Sequence, residues 1–237
     1  MVDAAEAVEI LGPPPRFVSR AGAKLEGAIV EFELAEVFDG ARVLDAGAST
    51  GGFTDCSLQY GAAQVIAVDV GHNQFHESMR AHPRVVTFER TNLRTVDPAI
   101  LGGPVDVVVG DLSFISLALV LDTLIGASRP GAVFVLLVKP QFEAGRTEVS
   151  RGKGIITDPD IWHRVLTDVS NALVVRNAVI MGAMVSPITG SDGNVEFVIL
   201  GRFPGDDAPV VGSVALDEVG RAAMIDRVVS SIVKDGD

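Results

Sequence analysis

The feature that most constrains the fold is a regular alternation of short apolar runs and amphipathic segments between residues 42 and 175. The runs are rich in Val, Ile and Leu without polar alternation, which is typical of strands buried on both faces of a parallel sheet. Helical spacing of apolar residues between them completes a strand–helix rhythm that predicts a doubly wound α/β fold. The predicted strands are 42–46, 64–70, 84–88, 105–110 and 132–138, and the predicted helices are 51–60, 73–81, 115–127 and 158–175.

The two ends of the chain depart from this rhythm. Two late apolar stretches, 178–187 and 194–203, flank a Thr-Gly-Ser-Asp-Gly turn sequence and predict an antiparallel hairpin. A last helix is predicted near 215–233. Near the other end, apolar spacing predicts a helix capped by Ser19, because serine is a favoured N-cap residue. Residues 1–18 contain three consecutive prolines and are expected to form a linker, since prolines cannot continue a helix or a central strand.

A glycine-rich turn follows the first predicted strand. The sequence LDAGASTGGFTD (44–55) places Asp45, Gly47, Gly51 and Gly52 between that strand and a helix. Glycines at such a turn let the backbone approach a ligand closely. Asp69, predicted to end the second strand, can accept both hydroxyls of an adenosine ribose. These positions predict a nucleoside-binding site.

The chemistry of the turn favours one nucleoside over others. Ser49 stands where the dinucleotide fingerprint G-x-G-x-x-G requires a glycine, and no Gly-Lys-Ser/Thr sequence follows as in a P-loop. This disfavours a pyrophosphate cradle, and with it a nicotinamide dehydrogenase. S-adenosylmethionine has no phosphate, and an acidic Asp45 in the turn suits its ammonium group. The predicted cofactor is therefore S-adenosylmethionine.

Polar residues also follow the fourth and fifth predicted strands. Asp111 and Lys139 each come after an apolar run, at strand ends that face the ligand crevice in open α/β sheets. Burial of Lys139 would be costly unless Asp111 pairs with it. A lysine can accept a proton from an alcohol near neutral pH when burial and a second cation lower its pKa. Lys24 is a candidate for that cation, and Glu196, in the predicted strand 194–203, is a candidate to hold a lysine.

The spacing of these four residues leaves alternatives open. A purely structural ion pair explains Asp111 and Lys139 equally well. Solvated surface charges are the default interpretation of Lys24 and Glu196.

Composition limits the partners and the location of the chain. A net charge of −12 argues against unaided nucleic-acid binding, because such proteins usually present a basic surface. Cys56 is the only cysteine, which excludes an intrachain disulfide and suits the cytoplasm. No apolar run reaches the roughly 18 residues of a membrane span, and the acidic first residues are not those of a signal peptide.

Five motifs, in order, resemble the TlyA family of FtsJ-like ribose methyltransferases, proteins often named hemolysins. The resemblance spans about residues 16–203 and implies a Rossmann-like methyltransferase fold with a seven-stranded sheet. It also implies S-adenosylmethionine as cofactor and cytidine 2′-hydroxyls of ribosomal RNA, in ribosomal subunits, as substrate. No membrane partner is expected. The motifs are SRAGAKL (19–25), LDAGASTGGFTD (44–55), DLSFIS (111–116), LVKPQFE (137–143) and GNVEF (193–197).

The same resemblance implies a catalytic Lys-Asp-Lys-Glu tetrad, which falls on Lys24, Asp111, Lys139 and Glu196. Lys139 would accept the 2′-hydroxyl proton, while the two carboxylates orient the amines. No metal is predicted. The predicted cofactor-binding residues are Asp45, Gly47, Ser49, Thr50, Gly51, Gly52, Phe53, Asp69, Val70, Asn92, Asp111 and Leu112.

The chain departs from the family pattern near its start. Family members usually begin with a small RNA-binding domain, and residues 1–18 are interpreted as a linker or a remnant of it. Residues 19–237 are then the FtsJ-like S-adenosylmethionine-dependent methyltransferase domain. This departure leaves open a non-catalytic nucleoside-binding scaffold. The hemolysin name of the family leaves open a second alternative, a protein so named that has no pore activity. The intact tetrad favours the enzyme.

Overall fold

The structure of the chain, a computed structural model, describes residues 14–205 and 215–235. Most of the predicted N-terminal linker and the stretch 206–214 before the last helix lie outside the described residues. Within the predicted linker, Phe17 is buried in an apolar core, where its ring packs against Gly22. Part of the segment 1–18 therefore packs on the domain that follows it.

A single seven-stranded sheet runs through the described part of the chain. Its strands are β1 (Arg42–Ala46), β2 (Gln64–Val68), β3 (Val85–Phe88), β4 (Val105–Gly110), β5 (Ser128–Val138), β6 (Val179–Val185) and β7 (Phe197–Arg202). Their order across the sheet is β3-β2-β1-β4-β5-β7-β6. The first five strands are parallel, and β7 pairs antiparallel with both β5 and β6. The predicted fold, a mostly parallel seven-stranded sheet with an antiparallel C-terminal hairpin, is confirmed.

The strand register determines which residues meet at one edge of the sheet. Ala46 of β1 is aligned with Gly110 of β4, so the residues that follow both strands emerge side by side. Val138 at the end of β5 is aligned with Phe197 at the start of the antiparallel β7. Consequently Lys139, the residue after β5, and Glu196, the residue before β7, lie at the same edge of the sheet.

Helices cover both faces of the sheet. Alternate residues of the strands accordingly belong to two separate apolar cores, one on each face. In β1, Leu44 packs in one core and Val43 in the other. The helices are α1 (Ala21–Glu31), α2 (Ala35–Phe38), α3 (Gly52–Gln59), α4 (Glu77–Arg80), α5 (Leu121–Gly126), α6 (Pro140–Glu143), α7 (Arg146–Arg151), α8 (Pro159–Val174) and α9 (Glu218–Asp235). None of the helices in residues 14–205 and 215–235 is both long and apolar enough to cross a membrane.

The sequence of α8 illustrates how these helices form. The Asp158 side chain accepts a hydrogen bond from the Asp160 N–H and caps the helix, and Pro159 occupies the first turn, where no N–H partner is needed. Apolar residues then recur at intervals of three and four, which gives one buried stripe against the sheet. The stripe consists of Trp162, Val165, Leu166, Val169 and Leu173.

Three predicted helix boundaries are wrong. Helix α1 begins at Ala21 with Arg20 at the N-cap and no side-chain cap, so Ser19 does not cap it. Only Glu77–Arg80 of the predicted helix 73–81 is helical, because His76 starts the helix by accepting a hydrogen bond from the Ser78 N–H. The predicted helix 115–127 is divided into a 3-10 turn, Leu117–Leu119, and α5.

Two predicted strand positions are also wrong. The second strand ends at Val68, so Asp69 lies in the following turn, where its Oδ1 accepts a hydrogen bond from the Gly71 N–H at 2.6 Å. Glu196 precedes β7 rather than lying within it. Both residues are therefore on loops at the sheet edge.

Candidate functional site

Four ionisable side chains from distant parts of the chain meet at the edge of the sheet. Lys139 Nζ lies 2.5 Å from Asp111 Oδ1, and Lys24 Nζ lies 3.7 Å from Asp111 Oδ2. Lys24 also donates a hydrogen bond of 2.6 Å to Glu196 Oε2. The four residues thus form a chain of contacts, Lys139–Asp111–Lys24–Glu196, that we call the ion cluster.

The ion cluster is largely removed from solvent. Lys24, Lys139 and Glu196 are 8%, 7% and 2% exposed. Two ammonium groups and two carboxylates give no net charge, and each buried charge contacts one of opposite sign. Mutual pairing of this kind offsets the large cost of taking the charges out of water.

Close packing of α1 on α3 brings Lys24 to the cluster. Gly52, the first residue of α3, has no side chain, and a Cβ there would come within 2.8 Å of the Gly22 backbone nitrogen. The Val18 N–H, just before α1, donates to Asp55 Oδ2 on α3 at 2.9 Å. The glycine that sequence analysis assigned to the cofactor turn therefore also positions the helix that carries Lys24.

A smaller cavity of about 330 Å³ opens beside the cluster, between the turn after β1 and the loops after β2 and β4. Gly47 forms part of its wall with a φ of +85°, in the left-handed region that glycine tolerates. A Cβ at Gly47 would lie 2.9 Å from the Asp111 carbonyl oxygen. Glycine at position 47 therefore suits both the backbone conformation of this turn and the limited space beside it.

Asp69 lies on the wall of the smaller cavity. Its Oδ2 accepts a hydrogen bond from the Ser49 N–H at 2.8 Å, while Oδ1 accepts from Gly71. An ionised carboxylate has about four lone-pair sites, so sites remain for two hydroxyl groups. These two backbone bonds fix the carboxylate in place without saturating it.

The predicted cofactor residues divide into three groups. Seven line the smaller cavity: Gly47, Ser49, Asp69, Val70, Asn92, Asp111 and Leu112. Thr50 lines a second, larger cavity of about 1000 Å³, and Phe53 lines a third cavity of about 120 Å³ that connects the other two. Asp45, Gly51 and Gly52 lie on the wall of none of these three cavities, and their direct contact with a cofactor stays a prediction.

Asp45 is wholly buried beneath the glycine turn, at the end of β1. Its Oδ2 accepts a hydrogen bond of 2.6 Å from the Thr54 hydroxyl, and its Oδ1 has no hydrogen-bond partner among the described residues. The pKa of Asp45 is raised to about 7, chiefly by burial; the Thr54 bond opposes this shift, and the nearby Asp111 and Asp69 add to it. An unpartnered buried acceptor is the arrangement that a cationic or hydrogen-bonding ligand group would relieve.

A larger cavity of about 1000 Å³ lies on the other side of the cluster. Lys24, Lys139 and Glu196 line it together with Phe114 and Phe142, whose ring centroids are 4.9 Å apart. A connecting cavity of about 120 Å³ shares Ser113 and Lys139 with the larger cavity, and Asp111 and Ser113 with the smaller one. The Lys139 amine therefore lies where a nucleoside-sized cavity meets a larger one, the position from which it can take a proton from a bound hydroxyl.

Two residues of this junction were not among the predicted site residues. Ser113 lines all three cavities, and Phe114 is 91% exposed with a φ of +62°, an uncommon conformation for an aromatic residue. Both belong to the motif DLSFIS (111–116), so their position directly after Asp111 was the available signal.

The fold has known counterparts among enzymes. A solved S-adenosylmethionine dependent methyltransferase from Mesorhizobium loti shares it with a TM-score of 0.55, over 77% of this chain and 99% of that chain, at 18% identity. That likeness concerns the fold alone. The fold is Rossmann-like, and a match to a family model of methyltransferases gives the class of the protein. The chain belongs to the FtsJ-like methyltransferase family, whose model matches residues 17–203.

Relatives confirm the resemblance to TlyA proteins. The 16S/23S rRNA (cytidine-2′-O)-methyltransferase TlyA from Mycobacterium tuberculosis is 47% identical over 192 residues, which is 81% of this chain and 70% of that protein. Hemolysin A from Brachyspira hyodysenteriae is 39% identical, over 77% of this chain and 75% of that protein. A solved candidate hemolysin from Lactococcus lactis has a TM-score of 0.81 at 38% identity and covers 92% of this chain and 99% of that chain. The chain is therefore a methyltransferase similar to proteins named either for RNA methylation or for hemolysis.

Proposed function

We propose that this protein methylates the 2′-hydroxyl of a cytidine in ribosomal RNA and uses S-adenosylmethionine as the methyl donor. The observation that carries the proposal is the Lys139 amine, paired with Asp111 at the junction of two cavities. A buried amine there can remove a proton from an alcohol that enters from the larger cavity. The name of the Mycobacterium tuberculosis relative, 16S/23S rRNA (cytidine-2′-O)-methyltransferase, supports cytidine 2′-hydroxyls of ribosomal RNA as the alcohols.

The residues of the smaller cavity fit S-adenosylmethionine. Asp69 has free lone pairs for the ribose hydroxyls. Gly47 has no side chain, so a ligand can approach the protein backbone at the turn. Val70 and Leu112 offer apolar surface for the adenine, and Asn92 offers a polar side chain beside it. When bound, S-adenosylmethionine supplies a methyl group on a positively charged sulfur.

The four residues of the ion cluster have different roles in the transfer of the methyl group. Lys139 accepts the proton of the 2′-hydroxyl, and Asp111 orients its amine from one side. Lys24 contacts the other oxygen of Asp111, and Glu196 in turn holds Lys24. Catalysis then depends mainly on the position of the acceptor oxygen relative to the methyl group. In this scheme only Lys139 exchanges a proton with the substrate.

The larger cavity fits a nucleotide of an RNA chain. The exposed ring of Phe114 and the partly buried ring of Phe142 offer apolar surface, and Arg20 on its wall offers a positive charge for a phosphate. The proposed partner is ribosomal RNA within ribosomal subunits, which locates the reaction in the cytoplasm.

The test combines methyl transfer with cofactor binding. The purified chain is incubated with isotopically labelled S-adenosylmethionine and unmethylated ribosomal subunits, and the digested RNA is analysed by mass spectrometry. We expect label on a cytidine 2′-oxygen. Lys139→Ala should lower the rate about 10²–10⁴-fold, the usual contribution of a general base, and should leave S-adenosylmethionine affinity by calorimetry within about threefold of the unmodified chain.

The control is Lys153→Ala, because Lys153 is an exposed lysine outside the ion cluster. Its rate of methyl transfer should stay close to that of the unmodified chain. Label on a base instead of a ribose, or full activity of Lys139→Ala, would contradict the proposal.

A further inference from the structure

The Lys139 amine has a second polar neighbour that the tetrad does not include. Lys139 Nζ donates a hydrogen bond of 2.8 Å to Ser113 Oγ, in addition to its contact of 2.5 Å with Asp111 Oδ1. Ser113 is exposed and lies two residues after Asp111, on the loop that follows β4. The Phe142 ring also faces the amine, with its centroid 5.7 Å from Nζ.

The number of N–H bonds on the Lys139 nitrogen determines how Ser113 can orient it. When the Lys139 ammonium of the ion cluster loses one proton to solvent, the neutral primary amine that remains has two N–H bonds and one lone pair. The Ser113 hydroxyl oxygen accepts one N–H bond, and Asp111 Oδ1, in ion-pair contact at 2.5 Å, is the nearest acceptor for the other, which leaves the lone pair as the only unassigned direction of the nitrogen. Without Ser113, one N–H lacks a partner and the amine can rotate about its last carbon–nitrogen bond.

We infer that Ser113 is a positioning residue that holds the Lys139 amine with its lone pair directed at the incoming 2′-hydroxyl. This inference rests on the proposed function. In the step, the 2′-oxygen–hydrogen bond breaks and a nitrogen–hydrogen bond forms on Lys139. The same oxygen forms a bond to the methyl carbon, and the electrons of the broken sulfur–carbon bond stay on sulfur. The resulting ammonium has three N–H bonds, for Asp111, Ser113 and the new ether oxygen.

The loop that carries Ser113 is held in place independently of that hydroxyl. Glu143, on α6, accepts a hydrogen bond of 2.6 Å from the Ser116 hydroxyl and one of 2.8 Å from the Leu117 N–H. Loss of the Ser113 hydroxyl should therefore leave the loop docked on α6. Ser116 provides a matched control, since it is a serine of the same loop whose partner is Glu143 instead of Lys139.

The experiment compares Ser113→Ala, Ser113→Thr and Ser116→Ala in steady-state methyl transfer to ribosomal subunits. We expect Ser113→Ala to lower kcat about tenfold or more, as for the loss of one hydrogen bond in the transition state. Its KM for RNA and its affinity for S-adenosylmethionine should change less than about threefold. Ser113→Thr keeps the hydroxyl and should restore kcat to within about threefold. Ser116→Ala, which keeps the Leu117 N–H bond that docks the loop on Glu143, should retain kcat to within about threefold.

A second readout does not depend on turnover. In crystal structures of the variants, Lys139 Nζ should leave its position in Ser113→Ala while Asp111 stays in place, and should keep its position in Ser113→Thr. An unchanged Nζ position together with an unchanged kcat in Ser113→Ala would overturn the inference. If the unmodified chain itself transfers no methyl group to RNA, the proposed function fails first, so the two failures are distinguishable.

Discussion

The smaller cavity and the ion cluster are neighbours, yet they are built in different ways. The smaller cavity is formed by residues 47–120 and depends on backbone conformation, as at Gly47, and on backbone hydrogen bonds to Asp69. The ion cluster joins residues as far apart as Lys24 and Glu196, which are 172 positions apart, and depends on buried charges that compensate one another. One site is determined by local chain geometry and the other by the assembly of the whole domain.

This difference predicts how a substitution in each region should affect stability and cofactor affinity. A change in the cluster leaves a buried charge without its partner, so it should affect the stability of the domain as well as catalysis. A change in the cavity wall alters a shape, so it should affect cofactor affinity with a smaller loss of stability. One variant in each region tests the contrast, and a third at Asp45, buried below the turn that joins them, sharpens it; they follow from the largest expected effect to the smallest.

The largest effect is expected from Glu196→Ala. The variant leaves the ammonium of Lys24 buried without its closest carboxylate. Breaking a buried ion pair on one side typically costs about 3–5 kcal/mol, and we expect a loss of that size in the free energy of unfolding measured with urea. Methyl transfer should fall as well. Affinity for S-adenosylmethionine in the variant that remains folded should change little, because Glu196 does not line the smaller cavity.

The matched control is Glu148→Ala, which removes the exposed ion pair between Glu148 and Arg164. Surface pairs usually contribute far less than buried ones, because water screens their charges. Equal losses in the two variants would mean that burial does not distinguish the ion cluster from a surface pair.

A smaller effect, which depends on pH, is expected from Asp45→Asn. Because the pKa of Asp45 is raised to about 7 in the folded chain, the folded state holds a proton that the unfolded chain, with a pKa near 3.9, has released. Stability should therefore fall as the pH rises between these two values and level off above about 7. From pH 5 to pH 8 the loss is about 2–3 kcal/mol, and Asp45→Asn should remove it from the unfolding free energy.

Thr54→Val sharpens this prediction. The variant removes the hydrogen bond that opposes the shift, so the pKa of Asp45 should rise further and the loss of stability should extend to higher pH. The same pH dependence in Asp45→Asn and in the unmodified chain would show that Asp45 does not titrate in this range.

The smallest loss of stability is expected from Gly47→Ala. Its φ of +85° costs a residue with a Cβ about 1 kcal/mol, and the new Cβ would also press on the Asp111 carbonyl oxygen. We expect the dissociation constant of S-adenosylmethionine in calorimetry to rise at least about tenfold. Gly40→Ala is the control, since Gly40 has a φ of +72° and nothing within 4 Å of the added Cβ. Similar cofactor affinity in both variants would contradict the role given to the turn.

Much of the fold could be predicted because its signals are local. Apolar runs and helical spacing located all seven strands and the longer helices. Short elements were less predictable, since side-chain caps such as those of His76 and Ser116 break long periodic stretches into brief helices. At the site, motifs identified the four residues of the ion cluster, but spacing by itself left Lys24 and Glu196 as surface charges by default.

The sequence by itself determined the strand–helix alternation, the glycine turn and the family of the protein, because each depends on residues close together in the chain. Only the tertiary structure decided that Lys24 bonds to Glu196, that Asp45 is buried below the turn, and that Ser113 contacts Lys139. The physical reason is that burial and charge pairing depend on which segments pack together. The register of β7 on β5 and the contact of α1 with α3 fix those neighbours, and no single segment encodes them.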